Sequence, residues 1–550
     1  MVTAINGWIR EPISKVAEVN PVTALPGPEL DDLAVPFYNM AAIDEYSGKL
    51  RDAAIVHLRD CRTGKTKFQN GDVLFAKITP CVQNRKSALV NGLPGNFACG
   101  SSEFYVLRPG KRVRPEYLFY FIRQDRVIHA AVESFTGTSG RQRVPRTFWD
   151  RLEVPLPPLP VQERIVEILQ KADEIRRKRK EALELADKIL TALFLEMFGD
   201  PATNPKGWQT VQFGDCLLDV TRECNKVQQH EYRNNTSGAC PVIDQGEDFI
   251  GGYIDDRKLL YQGTLPVILF GDHTRRFKFV DFPFVLGADG TKVLCAKAGY
   301  EPEYIYWHLR LARLPDRGYE RHFKFVRELR FMAAPLTAQK YFARIVQQYT
   351  EQRVRLSDGS ADAEATFRSL LSRAFTGELT AKWEVANAEW IAKQQVLYER
   401  LPRLVTLALV AEEARSARRS AEVLVTALMK YLFLLQMEGS STRRRFYHFV
   451  PYDYGPFAKE LYTDLQKLQD EGLVRVESNP EEEKTKITLT DPARIDEELA
   501  ELPDDLKQDV ATIVKTYGDL DHNNLLKIVY EKYPAYARKS RLRRKQGEGQ

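Results

Sequence analysis

Two hydrophobic rhythms alternate along this chain of 550 residues. Short runs such as Gly71-Asp-Val-Leu-Phe-Ala-Lys-Ile and Leu265-Pro-Val-Ile-Leu-Phe follow strand period, with Gly and Pro around them. From Val161 to Phe198 the rhythm changes to alternating threes and fours. Positions 165, 168, 172, 175, 179, 182, 186, 189 and 193 hold I, I, A, I, R, A, A, I and L, the spacing of a coiled-coil seam. Gly199-Asp-Pro stops that helix. After Leu336 the same rhythm returns through Phe342, Ile345, Tyr349, Leu356, Phe367, Leu370 and Leu371, with Ser357-Asp-Gly-Ser weakening its middle. A helix of roughly 38 residues spans about 57 Å; two of them pair most simply as an antiparallel strut, with each seam meeting another subunit as the alternative.

The alternation marks a long-period duplication. Asn6-Gly-Trp and Lys206-Gly-Trp open the two copies, and Arg114-Pro-Glu-Tyr-Leu-Phe-Tyr matches Glu301-Pro-Glu-Tyr-Ile-Tyr-Trp. Both of the latter predict short helices with Pro in the first turn. Phe148, Leu152, Pro158, Leu159 and Gln162 then align with Phe325, Leu329, Pro335, Leu336 and Gln339. The shared parts are framework; the differing parts lie between them.

Beyond Trp383 the pattern changes again. Residues 384 to about 437 predict helices, Tyr452-Asp-Tyr-Gly-Pro-Phe-Ala-Lys-Glu-Leu-Tyr a helix begun by its proline, and Gly472-Leu-Val-Arg-Val with Lys486-Ile-Thr-Leu-Thr two strands around a charged turn. Helix, strand, turn, strand is winged-helix order. Both copies and both long helices precede this segment, so whatever the two copies do is expected to survive its removal.

Length predicts three to five compact units. The net charge is only +5, yet basic residues bunch at 141–146, 176–180, 275–278, 443–445 and 538–545, which suits a polyanion gripped at chosen places. The N-terminal sequence has no secretory signal pattern, and Ala421–Met437 is interrupted by Thr426, Lys430 and Gln436, so a buried helix is expected there rather than a membrane span. The seven cysteines form no CxxC pair; reduced thiols in a cytoplasm are expected, without a zinc site.

Over residues 5 to 383 the chain resembles the specificity subunits of type I restriction–modification systems. The resemblance rests on Pro155-Leu-Pro-Pro-Leu-Pro-Val-Gln-Glu-Arg-Ile, Ala172-Asp-Glu-Ile-Arg-Arg-Lys-Arg, Leu195-Glu-Met-Phe-Gly-Asp-Pro-Ala-Thr-Asn-Pro-Lys-Gly-Trp, Phe270-Gly-Asp-His-Thr-Arg, Asp281-Phe-Pro-Phe and Leu370-Leu-Ser-Arg-Ala-Phe-Thr-Gly-Glu-Leu. The second copy departs from the pattern at Phe331-Met-Ala-Ala-Pro, where the proline run shrinks to Pro335. The resemblance implies an α+β fold with two tandem α/β target recognition domains, 1–158 and 201–335. It implies two long antiparallel coiled-coil helices between them, 159–200 and 336–383; residues 384–550 lie outside it and are expected, from their own pattern, to add a mainly helical, winged-helix-like module. The resemblance also implies double-stranded DNA as ligand, each domain reading half of a split site, with two methyltransferase subunits and motor-nuclease subunits as partners and no cofactor. The stretch YGPFAKELY is similar to antitoxin-like modules of the Panacea type, so the last module can be read as a protein-interaction scaffold as well as a DNA-binding one.

Candidate DNA-contacting residues follow from side-chain chemistry. In the first copy Thr136-Gly-Thr-Ser-Gly-Arg-Gln-Arg offers Thr138, Ser139, Arg141, Gln142 and Arg143. Small residues permit close backbone approach, and Arg and Gln can pair bidentately with guanine and adenine edges. Lys77 ends the strand-like run. The second copy offers His273, Arg275, Arg276 and Lys278 on an expected hairpin, and Lys324 by alignment with the Arg-rich loop. A plain surface turn is the alternative for the loop of the first copy. His273 lacks a ligand-spaced partner for a metal. Ile165, Ile168, Ile175, Phe342 and Ile345 on the seams, with Arg176 and Arg177, are candidates for a subunit interface; solvation is the alternative for the arginines. No catalytic residue is expected: Gly64-Lys-Thr has Arg59 where a phosphate-binding loop needs glycine, GxGxxG and GxSxG are absent, and Asp255-Asp256 lacks a convincing lysine partner for a metal nuclease site.

Overall fold

The computed structural model describes residues 7–138, 141–287, 290–315, 321–416, 422–439, 445–479 and 484–538. Asn6, Ser139, Arg443, Arg444 and the basic tail beyond Arg538 lie outside them. Two compact units form, residues 1–174 with 365–550, and residues 175–364.

The first unit contains a four-stranded antiparallel sheet in the order Ala17–Val19, Phe104–Pro109, Val73–Ala76, Ser87–Leu89. All four residues of Val73–Ala76 are buried. Val73 and Phe75 face a core with Trp149 and the helix Pro115–Ile122, whereas Leu74 faces Ile43, Phe68 and Val90. The strand expected from alternation is thus buried on both faces, not on one, as a strand between two apolar clusters must be. A second sheet has the order Ala54–His57, Ala34–Tyr38, Ala98–Gly100, Thr66–Phe68.

The second unit repeats the first sheet as Leu217–Asp219, Thr291–Ala296, Val267–Gly271, Phe277–Val280. Even the register repeats: Ala76 faces Phe104 in one copy and Gly271 faces Thr291 in the other. Framework hydrogen bonds repeat too. Gln162 accepts from Arg114 N (3.0 Å) and donates to Pro157 O (3.0 Å); Gln339 accepts from Glu301 N (3.0 Å) and donates to Ala334 O (2.7 Å). Tyr117 donates to Pro155 O and Tyr304 to Met332 O. The copies diverge in the second sheet. The edge strand Thr66–Phe68 is antiparallel to Ala98–Gly100, whereas its counterpart Lys226–Val227 runs parallel to Val285–Gly287.

Leu159–Phe198 and Leu336–Ala374 are both unbroken helices, the second running straight through Ser357–Ser360. In the second unit Arg176 pairs with Glu364 (3.0 Å), Arg179 donates to Gly359 O, and Phe198 meets Phe342. One residue number rises as the other falls, so the helices run antiparallel. The buried line differs from the expected seam by one position. Ile165, Leu169, Asp173, Arg176, Leu190, Phe194 and Phe198 are buried, whereas Ile175 and Ile189 are 52% and 57% exposed. Likewise Val346 is buried beside Phe342, while Ile345 is only half-buried. The apolar count missed this register because Asp173 and Arg176 occupy buried positions.

The segment after Trp383 does not form a core of its own. Leu407, Phe433, Leu465 and Tyr533 share one apolar cluster with Leu25, Val35, Leu58 and Phe97 of the first copy. From residue 388 its elements run helix Ala388–Arg415, strand Glu422–Leu424, helix Val425–Glu438, a hairpin, helix Glu460–Asp470, strands Val474–Asn479 and Lys484–Leu489, then helices Pro492–Ala500, Asp504–Tyr517 and His522–Lys532. Strand Lys484–Leu489 is the last of the three-stranded sheet. The last strand lies between the other two. Pro456 does not start a helix as expected: Gly455–Phe457 pairs with Val450–Tyr452 as a hairpin, since Gly455 adopts φ +99°, and the helix starts at Glu460. Cys61 and Cys99, expected as reduced thiols, are joined as a disulfide with Cα atoms 6.0 Å apart. Among the described residues no helix is long and apolar enough to cross a membrane.

Candidate nucleic-acid interface

The strand Val73–Ala76 delivers Lys77 to a corner where three segments meet. Lys77 N donates to Glu103 O (2.9 Å), Val144 N donates to Lys77 O (2.8 Å) and Thr79 N donates to Gln142 O (3.1 Å). Thr136 and Arg143 exchange backbone hydrogen bonds, closing 136–143 into a loop. Gly137 turns this loop at φ +106°, and an added Cβ would stand 3.3 Å from Arg141 O. The corner carries Lys77, Arg141, Gln142 and Arg143 together, as well as Thr138.

Their roles differ. Arg143 forks onto Glu103 through two hydrogen bonds (2.7 and 2.9 Å), and this guanidinium holds the Glu103 carboxyl below the usual range. Arg143 is therefore held in place and stiffens the loop. Arg141 and Thr138 are exposed and Gln142 half-buried, with no side-chain partner among the described residues. The Lys77 ammonium lies over the Tyr105 ring at 5.4 Å. Ser139 lies outside the described residues.

In the second copy Val267–Gly271 and Phe277–Val280 form the expected hairpin, with Arg275 in the left-handed region (φ +58°) at its turn. Arg276 is exposed and pairs with Glu247 at 2.7 Å. Lys278 corrects the expectation. It is buried, its ammonium donates to Asp244 O (2.8 Å) and Asp248 O, and it stands 3.8 Å from the Asp244 carboxylate. Burial lowers its pKa. Such a lysine ties down the 244–249 loop rather than meeting a ligand. Lys324 is exposed on the helix Phe323–Glu328, over the Phe325 ring at 4.8 Å. His273 is half-buried, its N–H donating to Gln245 Oε1 (3.3 Å). Among the described residues no three His, Cys, Asp or Glu side chains form a metal-binding group.

Sequence reasoning missed the carboxylates that position these corners. Glu103 holds Arg143, and buried Asp272 accepts from Phe323 N (2.7 Å) while its carbonyl accepts from His322 N (3.1 Å). Each stands beside a strand terminus, but only the register reveals what it faces. Of the interface candidates, Ile165, Phe342 and Arg176 are corrected: all three are buried within their own unit, Arg176 against Glu364. Ile175 remains exposed, Ile168, Ile345 and Arg177 half-buried.

Residues 28–185 match the family described as the type I restriction modification DNA specificity domain. The chain is 28% identical over 193 residues to the type I restriction enzyme EcoAI specificity subunit of Escherichia coli, covering 34% of this chain and 32% of that protein. It is also 28% identical over 231 residues to the EcoEI specificity subunit of the same species, covering 40% and 38%. The chain thus spans about a third of the length of these curated relatives. Among solved structures, the HsdS subunit from Thermoanaerobacter tengcongensis aligns at TM-score 0.33 and 20% identity, over 68% of this chain and 98% of that one. The type I S subunit from M. genitalium aligns at 0.43 and 13%, over the same shares. By sequence, this chain is similar to the DNA-specificity subunits of type I restriction–modification systems.

Proposed function

We propose that this chain is the non-catalytic DNA-recognition subunit of a type I restriction–modification complex in the cytoplasm. It reads a bipartite site in double-stranded DNA, one half per copy, and positions two methyltransferase subunits and motor-nuclease subunits. One observation carries this reading. The copies share a sheet with the same register, yet the corner built on it holds Lys77 and Glu103 in one copy and Asp272 and Gly290 in the other. One scaffold with different side chains at the same corner suits two different half-sites, because phosphate contacts supply affinity and base-edge contacts supply sequence preference. The antiparallel long helices act as a coiled-coil ruler between the halves, and exposed Ile175 and Ile189 offer an apolar strip for a partner subunit. Selection of duplexes from a random pool by the full chain with its methyltransferase, at several salt concentrations, tests this. The expected outcome is two separated sequence blocks and affinity that falls with salt. Binding without sequence preference contradicts it.

A second reading makes the chain an antitoxin-like or regulatory scaffold. The helix–strand–helix–helix–strand–strand order from residue 388, with a hairpin inserted between the second and third helices, and the central last strand fit a winged helix. The helix in the recognition position, Glu460–Asp470, carries Glu460, Asp464 and Asp470 against Lys467 alone, which favours a protein partner over DNA. A toxin gene beside this one, and no methyltransferase gene, would favour that reading.

A further inference from the structure

We infer that Arg321 is the DNA-contacting arginine of the second copy, at the corner for which comparison with the Arg-rich loop offers Lys324. The inference rests on the DNA-reading function proposed above, and the equivalence rests on matched backbone geometry. In the first copy Lys77 N donates to Glu103 O and Val144 N donates to Lys77 O. In the second, Asp272 N donates to Gly290 O (2.6 Å) and His322 N donates to Asp272 O (3.1 Å). Both pairs of bonds sit one residue beyond equivalent strand pairs, Ala76 with Phe104 and Gly271 with Thr291. His322 therefore occupies the place of Val144, and Arg321 that of Arg143. Lys324 falls further on, within the helix Phe323–Glu328.

The surroundings of the two arginines differ in a way that changes their availability. Glu103 captures Arg143 in the first copy. Its counterpart is Gly290, which has no carboxylate, and its φ of +85° disfavours any side chain there. Arg321 is exposed, and among the described residues no hydrogen bond or ion pair holds its guanidinium. The second copy thus presents at this corner a free five-donor fork suited to phosphate or guanine, where the first copy commits the same residue to its own loop.

The test compares the full-length wild type, Arg321→Ala, Arg321→Lys and Lys324→Ala on the duplex pool described above. The expected result for Arg321→Ala is about tenfold weaker binding, a smaller salt slope and an unchanged sequence block in the first half-site. Arg321→Lys should recover the salt slope, and Lys324→Ala should have a smaller effect than Arg321→Ala. Wild-type affinity and preference in Arg321→Ala, with both blocks still selected, would overturn the assignment of Arg321 alone. Absence of sequence blocks in the wild type would overturn the DNA-reading function itself. Arg321→Ala that unfolds at the wild-type temperature yet loses preference in both halves alike would also overturn the assignment.

Discussion

Arg445 and Asp72 stand 3.5 Å apart across 373 residues of sequence, and the same guanidinium donates to the Asn70 carbonyl. Asp72 is fully buried and also grips Arg108 through two bonds of 2.8 Å. A buried carboxylate needs such partners, because desolvation otherwise costs several kcal/mol. The segment after residue 384 therefore completes an ion cluster beneath the first copy.

Deletion of residues 384–550 is accordingly expected to uncover Leu25, Val35, Leu58 and Phe97 and to yield an aggregating chain, contrary to the expectation from sequence that recognition survives. Arg445→Met should be milder, since Arg108 still pairs with Asp72: about 1–3 kcal/mol of stability, read as a lower urea midpoint. A soluble, monodisperse truncation with native sequence preference would refute the shared core.

The repeated glutamine bridge predicts matched costs. Gln162→Leu and Gln339→Leu each orphan one backbone donor and at least one carbonyl, so each should cost about 1–3 kcal/mol. Denaturation monitored in both variants checks this; a large effect in one and none in the other would deny the equivalence.

Lys430 is buried, with its ammonium donating to Thr426 O (2.8 Å), and burial lowers its pKa from 10.5 to about 7. Between about pH 7 and 10.5 the unfolded chain holds this proton and the folded chain does not, so stability rises with pH across that window. The penalty is present in full below pH 7. Lys430→Met should stabilise the unit at pH 6 by a few kcal/mol, on the order of the shift, and flatten the rise. A wild type whose stability is level from pH 7 to 10 would contradict the assignment.

At the first corner, Arg141→Ala should weaken DNA binding and lower the salt slope by about one, because this arginine is exposed and uncommitted. Gln142→Ala should relax preference in one half-site only. Glu103→Gln weakens the hold on Arg143 and should broaden preference in the same half. Duplex selections on the three variants separate these effects, and unchanged selections in all three would remove the loop from the interface.

The ruler is tested by lengthening both helices at facing positions. Arg179 meets Gly359, so one heptad inserted after Arg179 and another after Asp358 preserves the Arg176–Glu364 and Phe198–Phe342 pairs. Each heptad adds about 10.5 Å, or roughly three base pairs of spacer. Methylation mapped by sequencing should retain both sequence blocks with a longer gap; methylation at the original spacing would end the ruler idea.

What the sequence determined by itself was whatever depends on local periodicity and on repetition. Both long helices, the stop at Gly199, the Pro-initiated helices at Pro115 and Pro302, and the pairing of Gln162 with Gln339 were all legible, because apolar spacing and turn chemistry act over a few residues. Tertiary structure alone decided the rest. The helix seam lies one position from the apolar line because Arg176 and Asp173 are buried, one of them against a carboxylate 188 residues away. Lys278 is inside and Arg143 is occupied because Asp244 and Glu103 come to them from other strands and loops. The last segment shares the first copy's core and bonds to Asp72 across 373 residues of sequence. A charged side chain looks the same in sequence whether it faces water or a buried partner, and only packing brings the partner.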